Sequence, residues 1–297
     1  MAFQRVGILS IGEMGYHWAR LLASHGVEVL TYTKGRSEVT RKRAENAGAR
    51  SVPSMARLVS QSDLVVSVVV PSGAKRVAAK VAKALVKAGR KDLLFLDANA
   101  TSPMTAREIE RHLSPASANF VDGCIIGSAA KVGKGTVVYA SGPQAARIRA
   151  LEESGFSIRV LGPEIGQASA FKIVYAGLTK GLQGLFVELL IGARKFSLLD
   201  EILKQYEESF PGLVGKVASS IAALPVHAGR RAEEMDELNR TFRHHGLKAI
   251  MAPATQKVLK SIASLDAGTA SETGERKGNL LETLELFFHR GLLQKKD

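Results

Sequence analysis

A single cysteine, Cys124, stands in a chain of 297 residues. It excludes an intrachain disulfide and a zinc site built from cysteines alone. The seven histidines are scattered, with no His-x-x-x-His or acid–histidine cluster, so no metal is expected. Long uninterrupted apolar runs are also missing. The longest, 182–193, contains Gln183 and Glu188 and falls well short of the ~20 residues that a membrane span requires. A strand pattern begins within a few residues of Met1 and leaves no space there for a signal or transit peptide, so a cytoplasmic protein is expected. Acidic residues are in deficit: 28 against 41 basic ones give a net charge of +13 and a pI near 9.9. That excess is either a solvated surface that aids solubility or a field that draws in anions such as a phosphorylated cofactor or a carboxylate substrate. The basic residues are spread over many helical stretches without an aromatic-rich strand or recognition helix, so nucleic acid is not an expected partner.

What is present is a globular composition, 45% apolar, and a length that accommodates two domains. Up to about residue 160, β-branched runs at 6–10, 27–33, 64–70, 93–97, 119–125, 136–140 and 158–161 alternate with helical patterns at 14–25, 38–47, 74–88 and 103–113. Alternation of this kind predicts an α/β domain, residues 1–163, with a doubly wound parallel sheet of the Rossmann type covered on both faces. Beyond Pro163 the strand pattern stops, and an all-α domain, residues 164–297, is expected. It is entered through one helix of about 30 residues at 166–195. Gly177, Gly181 and Gly184 share a stripe of that helix, which suggests another helix packed very close and a subunit interface. Further helices are expected at 198–208, 213–223, 230–244, 248–264 and 280–293, punctuated by Pro211 and Pro225, with an exposed polar loop at 269–279.

Gly12 and Gly15 lie between the first strand and the first helix, the context that a dinucleotide-binding turn requires. Gly12 would let backbone approach a pyrophosphate, Gly15 would let helix and strand pack closely, and the helix amides would face the anion. Ser10 occupies the place of the usual first glycine, and Glu13 and Met14 complete the turn. After the second strand no acid appears before Glu38 to hold a ribose 2′-hydroxyl. Thr33, Lys34, Arg36 and Ser37 are instead suited to a 2′-phosphate, so NADP(H) is expected over NAD(H). Val70 and Asn99, at the ends of later strands, are further candidates for the cofactor edge.

Lys172 is the only charged residue between Ala168 and Leu178, and it shares a helical face with Ser169, Ala176 and Thr179. A lysine held in apolar surroundings can move toward neutrality and pass a proton as a hydride moves. Lys180 is rotated by ~80° from it and is a weaker candidate, for substrate charge. The stretch 122–136 carries four glycines, Ser128 and two lysines. It is either an anion cradle of backbone amides or a flexible connection. Cys124 reads as a core thiol.

Together these residues resemble the β-hydroxyacid dehydrogenase family, which includes 3-hydroxyisobutyrate and 6-phosphogluconate dehydrogenases. The likeness is carried by Gly12-Glu13-Met14-Gly15, the turn from Asp97 to Pro103, the 122–136 loop and the 166–172 helix start. The second half is similar to a branch with a phosphogluconate-dehydrogenase-like C-terminal domain. The resemblance implies Lys172 as acid/base, Gly127 and Ser128 in a loop that holds a substrate carboxylate, and a homodimer or larger assembly. Three positions depart from the family pattern: Ser10, Ile126 where a serine is usual, and Ala176 where an asparagine is usual. The last two remove substrate hydrogen bonds and point to a bulkier or less polar β-hydroxyacid-like substrate. Imine reduction on the same fold and NADP sensing without turnover are the alternatives.

Overall fold

Successive residues of the central strands point to opposite sides of the sheet, and here both sides are apolar. In the computed structural model, which describes residues 2–265 and 279–294, Val6 and Ile8 of β1 (Arg5–Leu9) face one layer and Leu9 the other. Leu64 and Val66 of β4 (Leu64–Ser67) and Leu94 and Leu96 of β5 (Leu94–Asp97) join the first layer, while Val65 and Phe95 join the second. Two helical layers are therefore needed. Trp18, Ala19 and Leu22 of α1 (Glu13–Ser24) and Ala44 of α2 (Glu38–Asn46) cover the first side. The second is covered by Leu58 of α3 (Met55–Gln61), Val81 and Leu85 of α4 (Ala74–Ala88) and Ile109 of α5 (Pro103–Leu113). Each fully buried Leu, Ile or Phe adds on the order of 1.5–3 kcal/mol.

With β2 (Glu28–Thr31), β3 (Ala49–Ser51), β6 (Asn119–Ile126), β7 (Val137–Ser141) and β8 (Ser157–Gly162), the strand order is β3-β2-β1-β4-β5-β6-β7-β8. The chain reverses direction across the sheet between β1 and β4, and the carboxyl ends at such a switch point form the usual ligand crevice. The expected parallel sheet holds except at β6–β7, which pair antiparallel. The short, glycine-rich 127–136 connection is what permits this, since a parallel return would require a crossover of a dozen residues or more. The short strand β3 and helix α3 were not apparent in the sequence. β3 is three residues with only Ala49 buried, so it carries no apolar period.

The chain divides into two compact units, Met1–Lys172 and Ile173–Asp297. Helix α6 (Gln167–Lys195) begins in the first and continues into the second, matching the single long helix expected. It is long and apolar enough to cross a membrane by length and composition, with mean hydropathy 1.2 over 18 residues. An average over 18 residues tolerates Gln183 and Glu188, whereas the apolar run itself spans only 182–193. Ile173, Phe186, Val187, Leu190 and Ile191 of α6 are core residues of the second unit, which accounts for much of that hydropathy.

The second unit packs α6 with α7 (Leu199–Ser209), α8 (Leu213–Ala222), α9 (Leu224–His244), α10 (Met251–Ala263) and α11 (Leu280–His289). A Cβ on Gly177 would lie 2.7 Å from Leu238 of α9, and one on Gly184 would lie 3.2 Å from Thr255 of α10. The close helix packing expected of the glycine stripe is thus made within the chain at those two positions, while Gly181 faces open space. Pro225 punctuates the helices as expected, but α9 starts earlier than the expected residue 230 and holds Pro225 in its first turn, where the missing N–H has no partner to lose. The expected 269–279 loop lies outside the described residues, apart from Asn279. That residue caps α11 in a reciprocal box with Glu282.

Candidate cofactor and catalytic site

The turn after β1 has the features that an anion-binding helix start needs. Helices α2, α3 and α5 are capped by the hydroxyls of Ser37, Ser54 and Ser102. Helix α1 instead starts at Gly12 with no side-chain cap, which leaves its first amides for an outside acceptor. A Cβ on Gly15 would lie 2.1 Å from the Ser10 carbonyl oxygen, so only glycine fits, whereas the space beside Gly12 is almost open. Ser10 has φ +81°, the left-handed conformation that a first glycine would supply at no strain. The departure at Ser10 therefore keeps the backbone shape of the turn at a cost of about 1–2 kcal/mol. Glu13 is exposed, and Met14 packs partly against the core.

Beyond β2, Thr33 is buried and its hydroxyl is 2.7 Å from that of Ser51. Lys34, Arg36 and Ser37 are exposed, and the Ser37 hydroxyl is occupied as the α2 cap, accepting from Thr40 N–H at 3.3 Å. Arg41 donates to the Arg36 carbonyl at 3.1 Å. Ser51 and Arg41, absent from the sequence-based set, thus join this basic turn. Val70 is exposed and leads into the short helical turn Pro71–Gly73.

Asp97 and Asp122 end β5 and a half-strand of β6 as register partners, both buried. Asn99 donates from Nδ2 to Ser67 Oγ at 2.9 Å and to Asp97 Oδ1 at 2.5 Å. That fixes the amide and leaves its buried Oδ1 without a hydrogen-bond partner among the described residues. The buried Thr101 hydroxyl also lacks a partner among the described residues. Two orphaned oxygens on this loop fit a bound group that carries N–H or O–H donors. Together with the uncapped α1 start and the glycine turn, they accommodate a dinucleotide at the carboxyl edge.

Asp122 accepts from the N–H groups of Gly166 at 3.0 Å and Ser169 at 3.1 Å, and from the hydroxyls of Ser141 at 3.0 Å and Ser169 at 2.6 Å. It is therefore the cap of α6. One turn farther on, the half-buried Lys172 donates from Nζ to the Ile125 carbonyl at 2.8 Å. Burial pushes the Cys124 thiol up to about 12, against the nearby charge of Lys172, so Cys124 is an inert core thiol.

In the loop after β6 the amides of Lys131, Val132, Lys134, Gly135 and Thr136 bond to carbonyls of Ser128, Ala129 and Lys131. The loop is thus a self-bonded turn, and Gly127 and Ser128 are exposed in it, as are Ala130, Lys131 and 133–135. Gly127 has φ +126°, and a Cβ there would lie 2.7 Å from the Thr136 hydroxyl, which donates to the Ser128 carbonyl. Ile126 closes β6, and Ala176 is buried. Lys180 belongs to the second unit, where it pairs with Glu234 at 2.8 Å. Among the described residues no cluster of metal-binding side chains occurs.

Residues 5–153 match the NAD binding domain of 6-phosphogluconate dehydrogenase, and residues 193–262 match a domain of unknown function, DUF1932. An uncharacterized 28.5 kDa protein of Methanothermus fervidus is 33% identical over 87% of this chain and 98% of its own length. The solved structure of MTH1747, a conserved protein of unknown function described as similar to 3-hydroxyacid dehydrogenases, is 29% identical. It superposes with a TM-score of 0.73 over 87% of this chain and 96% of that one. Mycobacterium tuberculosis 3-hydroxyisobutyrate dehydrogenase, solved with L-serine, shares the fold at 16% identity, with a TM-score of 0.73 over 89% and 94% of the two chains.

Burial, and then the charge of Asp122, raise Asp97 from 3.8 to about 7, against the hydrogen bonds of Asn99 and Ser67. A raised acid contributes stability that is complete below its unfolded pKa and is lost as pH climbs through the folded one, here between about 4 and 7. Asp97→Asn keeps an acceptor for Asn99 and removes this proton. Urea melts at pH 5 and pH 8 should show a smaller stability loss in the variant than in the wild type, by on the order of a few kcal/mol. An equal loss in both would exclude Asp97 as the group responsible.

Proposed function

The chain belongs to the β-hydroxyacid dehydrogenase family of the 6-phosphogluconate dehydrogenase type, and we propose that it is an NADP-dependent oxidoreductase acting on a hydroxyl/carbonyl pair. The observation that carries this reading is Lys172. It is half-buried, tied to the Ile125 carbonyl one turn beyond an Asp122-capped helix start, and sits in the same unit as the Ser10–Gly15 turn. When bound, the nicotinamide supplies or takes up the hydride. The Lys172 ammonium then gives a proton to a carbonyl oxygen, or as the neutral amine removes one from a hydroxyl.

The residues that would hold the cofactor are the amides of Gly12 to Gly15 for the pyrophosphate, with Glu13, Met14 and Val70 along the edge. Lys34 and Arg36, next to Thr33 and Ser37, would hold the 2′-phosphate. Lys34 and Arg36 make no ion pair among the described residues, which leaves their charges for a ligand. Asn99 Oδ1 would accept from an N–H donor. Gly127 and Ser128, both exposed, are the loop residues assigned to a substrate carboxylate. Ile126 and Ala176 favour a substrate bulkier or less polar than L-serine, the compound held by the mycobacterial protein.

A homodimer or larger homo-oligomer is part of the proposal, and the second unit supports it. Val174, Leu178, Leu185 and Leu189 are exposed along one stripe of α6, with Gly181 open between them and Gly192 open beyond Leu189. An apolar stripe of this length is a subunit contact more often than a solvated face.

Three outcomes test the proposal. With NADPH and panels of hydroxyacids (L-serine and 3-hydroxyisobutyrate among them), carbonyls and imines, Lys172→Ala should lose about 10²–10⁴ in kcat while NADPH affinity stays. Turnover that survives in that variant would reject the acid/base role. A Lys34→Gln/Arg36→Gln variant should weaken NADPH binding by roughly tenfold and leave NADH binding alone, and tighter NADH than NADPH binding by the wild type would overturn the preference. Leu178→Glu with Leu185→Glu should convert a sedimenting dimer to monomer, and an unchanged sedimentation coefficient would place the interface elsewhere.

A further inference from the structure

A cation without a counter-ion sits in the second unit. Arg231 of α9 donates from Nη1 to Gln183 Oε1 of α6 at 3.0 Å and to the Ser220 carbonyl, near the end of α8, at 2.8 Å. Gln183 is itself buried, so this anchor is firm. Both bonds fall on one nitrogen. Among the described residues, Nε and Nη2 have no hydrogen bond, and no carboxylate comes within 4.0 Å of the guanidinium. Glu234, the acid whose charge acts on Arg231, is already shared by Lys180 at 2.8 Å and Arg230 at 3.1 Å. One turn before Arg231, burial and then the charges of Arg230 and Arg231 hold His227 toward its neutral form. Two cations therefore share one carboxylate and Arg231 pairs with neither of its oxygens, while burial disfavours the charge of Arg231.

Removing an arginine from water without an acid is costly, and a structural cap of α8 would need only the Nη1 edge. What remains is a fork of donors in a fixed plane, the geometry that binds two oxygens of one oxyanion. We propose that the Nε–Nη2 edge of Arg231 binds the carboxylate or phosphate group of a small anionic ligand. The proposal goes beyond the hydride chemistry above and does not depend on it, since every group named lies in the helical unit.

The test is calorimetric titration of malonate and of inorganic phosphate into the full-length protein at constant ionic strength. It is run in an Arg36→Gln background so that the basic turn after β2 does not contribute. Wild-type Arg231 should bind at least one of the two. Binding of malonate alone would assign a carboxylate, and binding of phosphate alone or of both a less selective oxyanion. Arg231→Gln should weaken that binding by about tenfold or more, and Arg231→Lys, which keeps the charge but loses the fork, by a smaller factor. Equal affinity in Arg231→Gln, or no binding of either anion to the wild-type residue at 20-fold the concentration of a ~1 mM site, would overturn the assignment. Melting curves identify a variant that fails to fold, and Arg231→Lys then decides the question alone.

Discussion

One buried carboxylate holds the first unit in the form that its chemistry requires. Asp122 collects four donors, two from the first turn of α6, one from the Ser169 side chain and one from Ser141 across the β6–β7 pair. A helix start normally finds its cap in the preceding residue. Here it comes from the sheet, 47 positions earlier in the chain at Ser169. The helix that carries Lys172 is therefore registered on β6 rather than on its own connecting loop. Lys172 closes the same arrangement by donating to Ile125, three residues beyond Asp122 on that strand. Strand, cap and lysine form one hydrogen-bonded circuit.

That circuit has a neighbour of opposite character. Asp97 lies beside Asp122 in register, but its donors are only Asn99 and Ser67. Two carboxylates on adjacent strands cannot both be ionised cheaply in a buried place. Burial raises both carboxyls, Asp97 to about 7, and at Asp122 the hydrogen bonds from Ser169, Ser141 and Gly166 work against that rise. The arrangement has a structural consequence. With Nδ2 held by Asp97 and Ser67, only the oxygen of Asn99 is left without a partner among the described residues. A polar network that looks like structural cement thus fixes the hydrogen-bonding sense of the loop after β5.

Much of this was legible in the sequence, for a reason that differs by element. Strands β1, β4 and β5 are apolar on both faces, and that pattern has few readings other than a central parallel strand. The long helix and its lysine were legible because a single charge in eleven residues has no period to hide in. The glycine turn could be placed because strand, Gly12, Gly15 and helix follow one another without a gap. Asp122 and Asp97 were not recognised as a pair, since register between strands depends on crossovers that no local pattern encodes. Their one trace was an acid closing an otherwise apolar strand. The antiparallel β6–β7 pairing was hidden for the same reason. Ser51 and Arg41 were missed because each reaches the basic turn through backbone geometry rather than through spacing.

The departures from the family pattern were the least interpretable residues in the sequence, and the backbone gives them different meanings. Ser10 changes the side chain but keeps φ at +81°, so the turn it serves retains its shape and its open helix start. Ile126 and Ala176 have no such compensation: one closes β6 with an aliphatic side chain and the other is buried. A substitution that preserves an unusual backbone angle at a strain of a kilocalorie or so argues that the turn still has to work. Ile126 and Ala176 offer no polar side-chain atom to a neighbour, so the same inference does not extend to them.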